Sequence, residues 1–352
     1  MPGFVDCHTH LVFAGNRVED FERRIQKKSY QEIAAEGGGI NYSARLVRQA
    51  TERDLIRQAG AFLEQFAAHG TTTVEVKSGY GLDVQNEIKI LKAVRSLHKI
   101  TCVELVPTLM AAHAIPARYT RRRGEYLDLI TRRLIPAVAR EKLAEFVDCF
   151  CDRGAFSVEE CRKVLAIGRS HGLIPRIHAE QLSHTGASQM AVAMQAASAD
   201  HLDHMTGTEI DALARSNVIA TLLPGSNFHL GSRDYPRARR LIDAGAAVAL
   251  ATDFNPGTSP TLNMQFILSL ACTNLRMTPA EAISAATINA AFSLHRANRL
   301  GSLEPGKQAD ITMMDVGDYR EIPYYFGWNH CVMTVKRGRI IHNRWDSRVL
   351  NL

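Results

Sequence analysis

Apolar and polar positions recur along the chain in a fixed order: a short apolar run, a polar loop, then a stretch with apolar positions at helical spacing. The strand-like runs lie at 4–7, 72–76, 102–109, 146–151, 174–177, 199–202, 218–223 and 247–251. Helical patterns lie at 53–69, 85–97, 126–138, 158–170, 188–197, 209–214, 237–244 and 262–275. Strands that alternate with helices predict a parallel sheet, and eight strands are the number that closes a (β/α)8 TIM-like barrel.

The alternative to a barrel is an open, doubly wound sheet of the kind that binds nucleotides. Its phosphate-binding loop has the form G-x-G-x-x-G or ends in GK[ST]. The glycine cluster at 37–39 has neither form and is better interpreted as a flexible loop or the start of a helix. We therefore expect an α/β barrel over residues 1–298.

The order of elements changes after about residue 277. A helical pair near 279–298 leads into strand-like runs at 311–314, 332–335 and 339–342, and no helical pattern follows them. Strands joined without intervening helices predict a small antiparallel layer beside the barrel. We assign this layer to residues 299–352.

Composition is that of a globular protein in a reducing compartment. The chain has 352 residues, of which 46% are hydrophobic and 22% charged. No run reaches the roughly 18 apolar residues of a membrane span, and the N-terminus lacks the features of a secretory signal. The seven cysteines show no paired spacing, which is typical of reduced thiols. We expect a cytoplasmic protein.

The net charge of +6 raises the question of a nucleic-acid partner. The basic clusters at 121–123 and 237–240 are short, and aromatic residues are not interleaved with them. A mildly basic enzyme that attracts an anionic small molecule is the simpler interpretation. We expect neither a nucleic acid nor a membrane as partner.

Histidines fall at the ends of several predicted strands. His8 and His10 end the first strand, and their spacing of two places both imidazoles on one face. His178, His201 and Asp253 end the fifth, sixth and eighth strands. Each alone is readily explained as a loop or core residue, but the carboxyl ends of barrel strands form the active face. Imidazoles and a carboxylate that converge there predict a zinc or iron site with room for water.

These residues and the tail segment LGSLEPGKQAD at 300–310 resemble the amidohydrolase superfamily. The fourth strand offers no lysine to bridge two metals, so the pattern resembles the single-metal branch. Within that branch the chain is similar to the imidazolonepropionase family from about residue 3 to 344. The similar segments are HTHLVFAGNR at 8–17, KSGYG at 77–81, AAHAIP at 111–116, HAEQ at 178–181, LLPG at 222–225 and TDFNPGTSP at 252–260.

The resemblance implies a hydrolase in histidine degradation. The family opens the cyclic amide of 4-imidazolone-5-propanoate to N-formimidoyl-L-glutamate. The metal ligands implied for one Zn²⁺ or Fe²⁺/Fe³⁺ ion are His8, His10, His178 and Asp253. The ion would lower the pKa of bound water toward about 7 for attack on the ring carbonyl. Asp253 or His201 would then move the proton to the leaving nitrogen.

A substrate-binding set is implied in the same way. Its members are Arg17, Tyr80, His113, Gln181, Asn255, Gly257 and Thr258. His113 would polarise the ring or its developing oxyanion, while Arg17 and Tyr80 would hold the propanoate carboxylate. Some relatives use a glutamate as acid/base at the place of Gln181. A glutamine cannot transfer a proton, so this duty would pass to Asp253 or His201.

The resemblance also leaves alternatives open. Members of the family normally begin with an additional strand-rich segment, so a truncated chain or a misplaced start is expected, with an exposed edge on the tail strands. Family members commonly form homodimers, so a homodimer is possible. One alternative function is another single-metal amidohydrolase or deaminase that acts on a small heterocycle, which would share the metal ligands but not Arg17. The other is a catalytically impaired, truncated remnant.

Overall fold

Eight parallel strands form a nearly closed ring in the computed structural model, which describes residues 1–28, 32–33 and 36–345. The strands are β1 Phe4–Asp6, β2 Thr71–Lys77, β3 Glu104–Ala112, β4 Phe146–Cys151, β5 Ile177–Ala179, β6 Ser198–His201, β7 Ile219–Leu222 and β8 Val248–Leu250. Each strand pairs in parallel with the next, and a two-residue strand, Ile174–Pro175, adds to β4 just before β5. The predicted (β/α)8 barrel is confirmed.

The ring closes through the segments that follow β1 and β8. Thr9 and Phe254 form a parallel bridge. The Asp253 amide donates to the His8 carbonyl at 3.1 Å, and the His10 amide donates to the Phe254 carbonyl at 2.9 Å. The backbone that closes the barrel therefore also carries three of the predicted metal ligands.

Helices surround the strands. Within the described ranges they are α1 Val18–Ile25, α2 Gly39–Gln49, α3 Glu52–Ala68, α4 Val84–Ile100, α5 Arg123–Asp128, α6 Ile135–Arg140, α7 Val158–Ser170, α8 Ala187–Ala193, α9 Gly207–Ala214, α10 Pro224–Leu230, α11 Ala238–Asp243, α12 Met264–Asn274, α13 Pro279–Ala285, α14 Ile288–Ser293 and α15 Glu321–Tyr324. A π-helical turn, Leu129–Leu134, joins α5 to α6, and a 3-10 turn, Ala117–Tyr119, precedes them. None of the described helices has the length and apolar character needed to cross a bilayer.

One feature of the helices agrees with the sequence expectation and one differs. The glycine cluster at 37–39 is the start of a helix, as one of the two sequence interpretations had it, since Gly38 precedes α2 and the Gly39 amide donates to Asp20 at 2.9 Å. The expectation of a tail without helices is wrong, because α15 lies between two tail strands. Its Pro323 carbonyl accepts from Ser269 of α12 at 2.8 Å, a tertiary contact that local sequence does not reveal.

The tail forms the expected antiparallel layer. Strands β9 Ile311–Met314, β10 Cys331–Lys336 and β11 Arg339–Asn343 make a three-stranded antiparallel sheet. The first residues of the chain run along the other side of β9, where Pro2 bridges Ile311 and the Thr312 amide donates to the Met1 carbonyl at 3.0 Å. The end of the predicted tail segment, 346–352, lies outside the described residues.

A buried ion cluster fastens this sheet to the barrel. Glu104 of β3 accepts from Lys336 of β10 at 3.2 Å and from Arg299 at 2.5 Å. Lys336 also donates to Asp310 at 2.7 Å. Burial alone raises the pKa of a carboxyl group, but Lys336 and Arg299 outweigh it and lower the pKa of Glu104 from 4.5 to about 2.

The substitution Glu104→Gln should lower the free energy of unfolding by about 3 kcal/mol at pH 7, because it leaves a buried ammonium short of a partner. The pKa of Glu104 is lower in the folded than in the unfolded chain. Its contribution is therefore complete above about pH 4.5 and is lost as the pH falls toward 2. Urea unfolding measured between pH 7 and pH 3 checks both statements.

The control is Glu145→Gln. Glu145 pairs with Arg296, but its side chain is 41% exposed, so its loss should cost less than about 1 kcal/mol. Equal effects of the two substitutions would contradict a special role of the buried cluster.

Candidate metal centre and substrate pocket

The four predicted metal ligands meet at the carboxyl ends of the strands. His178 Nε2 lies 3.4 Å from His10 Nε2. Asp253 Oδ1 lies 3.6 Å from His8 Nε2 and 3.8 Å from His10 Nε2. A ligand atom from each of the three histidines lies within 4.8 Å of the others. Side chains from three strands thus surround one point, as a single ion requires.

The protonation and contacts of these ligands fit a metal ion. Burial, followed by the positive charge of Lys77, lowers the pKa of His8; burial, followed by His113, lowers that of His10. Both imidazoles are therefore neutral, the form that binds metals. His8 Nε2 is buried and has no hydrogen-bond partner among the described residues. Burial also raises the pKa of Asp253, because the nearby positive charge of Lys77 does not offset the loss of solvation. Neutral nitrogens and one carboxylate suit zinc or iron.

His201 lies beside the ligand cluster and is not one of the three histidines whose ligand atoms lie within 4.8 Å of one another. Its ring centroid is 5.2 Å from that of His178 and 5.6 Å from that of His8. His201 and Asp253 both have left-handed backbones, with φ of 78° and 53°. Such conformations cost free energy for residues other than glycine and are concentrated at functional sites.

A pocket opens above these residues at the carboxyl ends of the strands. Most residues selected from the sequence line it: His10, Arg17, Tyr80, His113, His178, Gln181, His201, Asp253, Asn255 and Thr258. Ile40, Phe150, Leu182 and Leu230 supply apolar walls. His8 is fully buried at the ligand cluster, and Gly257 lies behind Arg17. The structure thus brings the predicted set together.

Arg17 lies flat against the loop that follows β8. A Cβ atom at Gly257 would fall 1.6 Å from Arg17 Nη2 and 1.9 Å from its Cζ, so a side chain at this position would displace the guanidinium. Asn255 Oδ1 holds the loop in shape by accepting from the Gly257 and Thr258 amides, each at 2.8 Å. The guanidinium, on a residue only 6% exposed, is therefore placed by the backbone of another strand loop.

His113 and Tyr80 form one wall of the pocket. His113 Nδ1 donates to the Gly79 carbonyl at 3.1 Å. Burial and the neighbouring His178 lower the pKa of His113 to about 3. The neutral ring then presents Nε2 as a hydrogen-bond acceptor. Glu87 holds the Tyr80 loop by accepting from the Gly79 and Gly81 amides at 2.9 and 2.7 Å.

Gln181 faces the pocket, while its neighbour Glu180 does not. The Glu180 carboxylate accepts from the Ala187 and Ser188 amides at 2.7 and 3.1 Å, at the start of α8. Its charge is therefore used to stabilise a helix N-terminus. Among the described residues that line the pocket, Asp253 is the carboxylic acid.

Sequence reasoning missed a buried charge cluster beneath the ligands. Its members are Glu75, Lys77, Asp148, Arg176 and Asp200. Burial opposes the charge on Asp148, but His178 and Lys77 outweigh it and lower its pKa. Charged residues inside otherwise apolar strands were the available signal, because a charge is rarely buried without a partner.

The chain is similar in sequence to known proteins over nearly its whole length. The profile of the amidohydrolase family matches residues 1–341. An imidazolonepropionase of Geobacillus thermodenitrificans is 45% identical over 342 residues, which are 97% of this chain and 80% of the relative. One of Solibacter usitatus is 45% identical over 98% of this chain and 82% of the relative.

Solved structures share the fold at low identity. A 5-methylcytosine deaminase from Klebsiella pneumoniae superposes with a TM-score of 0.72 at 18% identity, covering 98% of this chain and 87% of the other. A triazine hydrolase variant superposes with a TM-score of 0.72 at 16% identity, over 97% and 83% of the two chains. At these identities the likeness shows the barrel architecture alone.

The substitution His178→Asn should remove most bound metal from the purified chain, because it deletes one of the nitrogens around the common point. Elemental analysis after dialysis against Zn²⁺ provides the measurement. His184→Asn is the control, since the half-exposed His184 pairs with Glu209 at 3.0 Å, away from the cluster. Equal metal content in the His178→Asn variant and the unmodified chain would contradict the proposed ligand set.

Proposed function

The chain belongs to the imidazolonepropionase family of amidohydrolases, and from this premise we propose how its own residues perform the reaction. It hydrolyses the cyclic amide of 4-imidazolone-5-propanoate to N-formimidoyl-L-glutamate in histidine degradation. The supporting observation is that one small pocket joins a metal-ligand cluster to a buried arginine.

The proposed metal site consists of His8, His10, His178 and Asp253, holding one zinc or iron ion. The short distances between their ligand atoms and the neutral imidazoles support this assignment. When bound, such an ion supplies a water nucleophile whose pKa lies near 7 and polarises the carbonyl that is attacked.

Proton movement is assigned to Asp253, with His201 beside it. Hydrolysis adds water to the ring carbonyl, breaks the carbon–nitrogen bond of the cyclic amide and needs a proton on the leaving nitrogen. Asp253 lines the pocket, which supports the proposal that it would take the proton from water and deliver it to that nitrogen. Gln181 cannot do so, and the Glu180 carboxylate is held at a helix N-terminus.

Substrate binding is assigned to other residues that line the same pocket. The guanidinium of Arg17, with Tyr80, would hold the propanoate carboxylate, since a planar fork of N–H donors matches two carboxylate oxygens. His113 would contact the imidazolone ring. Its Nδ1–Gly79 hydrogen bond leaves Nε2 as an acceptor, so it fits a ring N–H in the neutral form and an oxyanion only when protonated.

Gln181, Asn255, Gly257 and Thr258 complete the proposed substrate site. Gln181 offers an amide to the ring, and the loop at 255–258 holds Arg17 in place. A deaminase is not favoured, because the curated relatives described above are imidazolonepropionases across nearly the whole chain. An anionic small molecule as partner, a homodimer, a cytoplasmic location and the division at residues 298/299 stay predictions.

The deciding experiment is a turnover assay. The chain loaded with Zn²⁺ or Fe²⁺ should consume 4-imidazolone-5-propanoate and yield N-formimidoyl-L-glutamate without releasing ammonia. Ammonia release from cytosine or another aminated heterocycle would instead support a deaminase. A folded, metal-loaded sample that leaves the imidazolone unchanged would overturn the proposed function and support an impaired remnant.

Arg17→Ala should raise KM by about 10- to 150-fold, equivalent to roughly 1.5–3 kcal/mol for a charge-assisted contact, with a smaller effect on kcat. Gly257→Ala should change KM in the same direction, because its methyl group would displace the Arg17 guanidinium. Steady-state kinetics measures both effects. Gly124→Ala is the control, since a methyl group there meets nothing within 4 Å. An unchanged KM for Arg17→Ala would contradict the assigned role.

A further inference from the structure

We infer that Lys77 is a positioning residue for the metal ligands, which it orients through the buried carboxylates of Glu75, Asp148 and Asp200. This inference rests on the metal site of the proposed function and deepens it. Lys77 is fully buried and is not among the described residues that line the substrate pocket, so any effect on the reaction passes through the groups that it holds.

Lys77 lies at the end of β2 with a fully buried side chain. Its Nζ lies 2.9 Å from Glu75 Oε1, 2.8 Å from Asp148 Oδ2 and 3.8 Å from Asp200 Oδ2. All three carboxylates are fully buried as well. One ammonium group thus joins carboxylates from β2, β4 and β6 inside the barrel.

Two of these carboxylates accept hydrogen bonds from the Nδ1 atoms of proposed metal ligands. Asp148 lies 3.1 Å from His178 Nδ1, and Asp200 Oδ2 lies 2.7 Å from His8 Nδ1. A carboxylate accepts a hydrogen bond, so each Nδ1 carries the proton and each Nε2 is left with its lone pair. These Nε2 atoms are the ones that face His10 and Asp253. The carboxylates therefore set both the tautomer and the ring orientation.

The third carboxylate acts on the backbone between two ligands. Glu75 Oε2 accepts from the Thr9 amide at 3.2 Å, and Thr9 Oγ1 donates to the Glu75 carbonyl at 2.6 Å. Thr9 separates His8 from His10. Through Glu75, Lys77 thus also holds the segment that carries both histidines.

Arg176 closes the cluster from the other side. Its Nη2 donates to the Cys7 carbonyl at 2.8 Å and to Asp200 Oδ2 at 3.4 Å. Cys7 immediately precedes His8.

Because a buried charge is costly without a partner, removal of Lys77 leaves Asp148 and Glu75 free to turn toward other donors, and the histidine rings lose their fixed orientation.

The test is the Zn²⁺ affinity of Lys77→Met, measured by competition with a chromogenic chelator. We expect binding about 10- to 100-fold weaker, the usual effect of losing a group that orients metal ligands, and an altered visible spectrum of the Co²⁺-loaded protein. Unchanged or tighter Zn²⁺ binding would overturn the inference. A purely electrostatic role predicts tighter binding, because a positive charge near the ion has been removed.

Lys336→Met is the matched control. Lys336 is also a buried, ion-paired lysine, but its partners Glu104 and Asp310 lie outside the ligand cluster. This variant should lose stability and keep its Zn²⁺ affinity. If it loses as much affinity as Lys77→Met, the effect is one of general stability and the inference is overturned.

Asp148→Asn tests the same inference with a side chain of the same shape, and it decides the matter if Lys77→Met does not fold. It should weaken Zn²⁺ binding by about 10- to 100-fold. Lys77 is inferred to act through Asp148, so the effects of the two substitutions should overlap. The double variant Lys77→Met/Asp148→Asn should therefore bind Zn²⁺ far more tightly than the sum of two independent losses implies. Wild-type affinity in Asp148→Asn, or fully additive losses, would overturn the inference.

Metal binding is measured here without turnover, so the two proposals fail separately. A chain that shows these affinities but does not open the imidazolone ring would overturn the reaction and leave the role of Lys77. If the chain opens the ring while the Lys77→Met variant binds Zn²⁺ normally, the role of Lys77 is overturned and the reaction remains.

Discussion

The buried charges inside the barrel are the constraint on which the site depends. Lys77, Arg176 and three carboxylates lie in the interior with fully buried side chains. Burying an isolated charge costs several kcal/mol, so the strands that carry these groups must bring each of them to a partner. The arrangement that satisfies these charges is also the one that orients His8 and His178. The same buried ion pairs therefore hold the barrel strands together and orient the ligands.

Closure of the ring imposes a second condition on the ligands. His8, His10 and Asp253 lie on the segments whose backbone hydrogen bonds join the first and last strands. Asp253 takes a left-handed backbone conformation there, and His201 does so at the end of β6. Such strain persists only where surrounding contacts hold it. Three of the four proposed ligands thus depend on the backbone hydrogen bonds that close the barrel.

The barrel strands and the loops have different roles in this molecule. Structures as different as a deaminase and a triazine hydrolase share the architecture below 20% identity, so the strand scaffold alone does not select a substrate. In the proposed function, selection falls to residues on loops, above all Arg17, which lies against the Gly257 backbone. The tail sheet contributes by holding β3 through the Glu104 cluster. Loop chemistry and scaffold stability are in this way separate properties of the molecule.

The sequence alone determined the eight strands and the strand ends that carry His8, His10, His178 and Asp253, because apolar periodicity and residue spacing are local. It did not predict α1, whose Val18 and Ile25 are 63% and 66% exposed and so give no clear pattern of burial. Only the tertiary structure decided which carboxylates hold Lys77, which nitrogen His113 presents, and that Gly257 makes room for Arg17. These contacts join residues far apart in the chain, and only folding brings them within bonding distance.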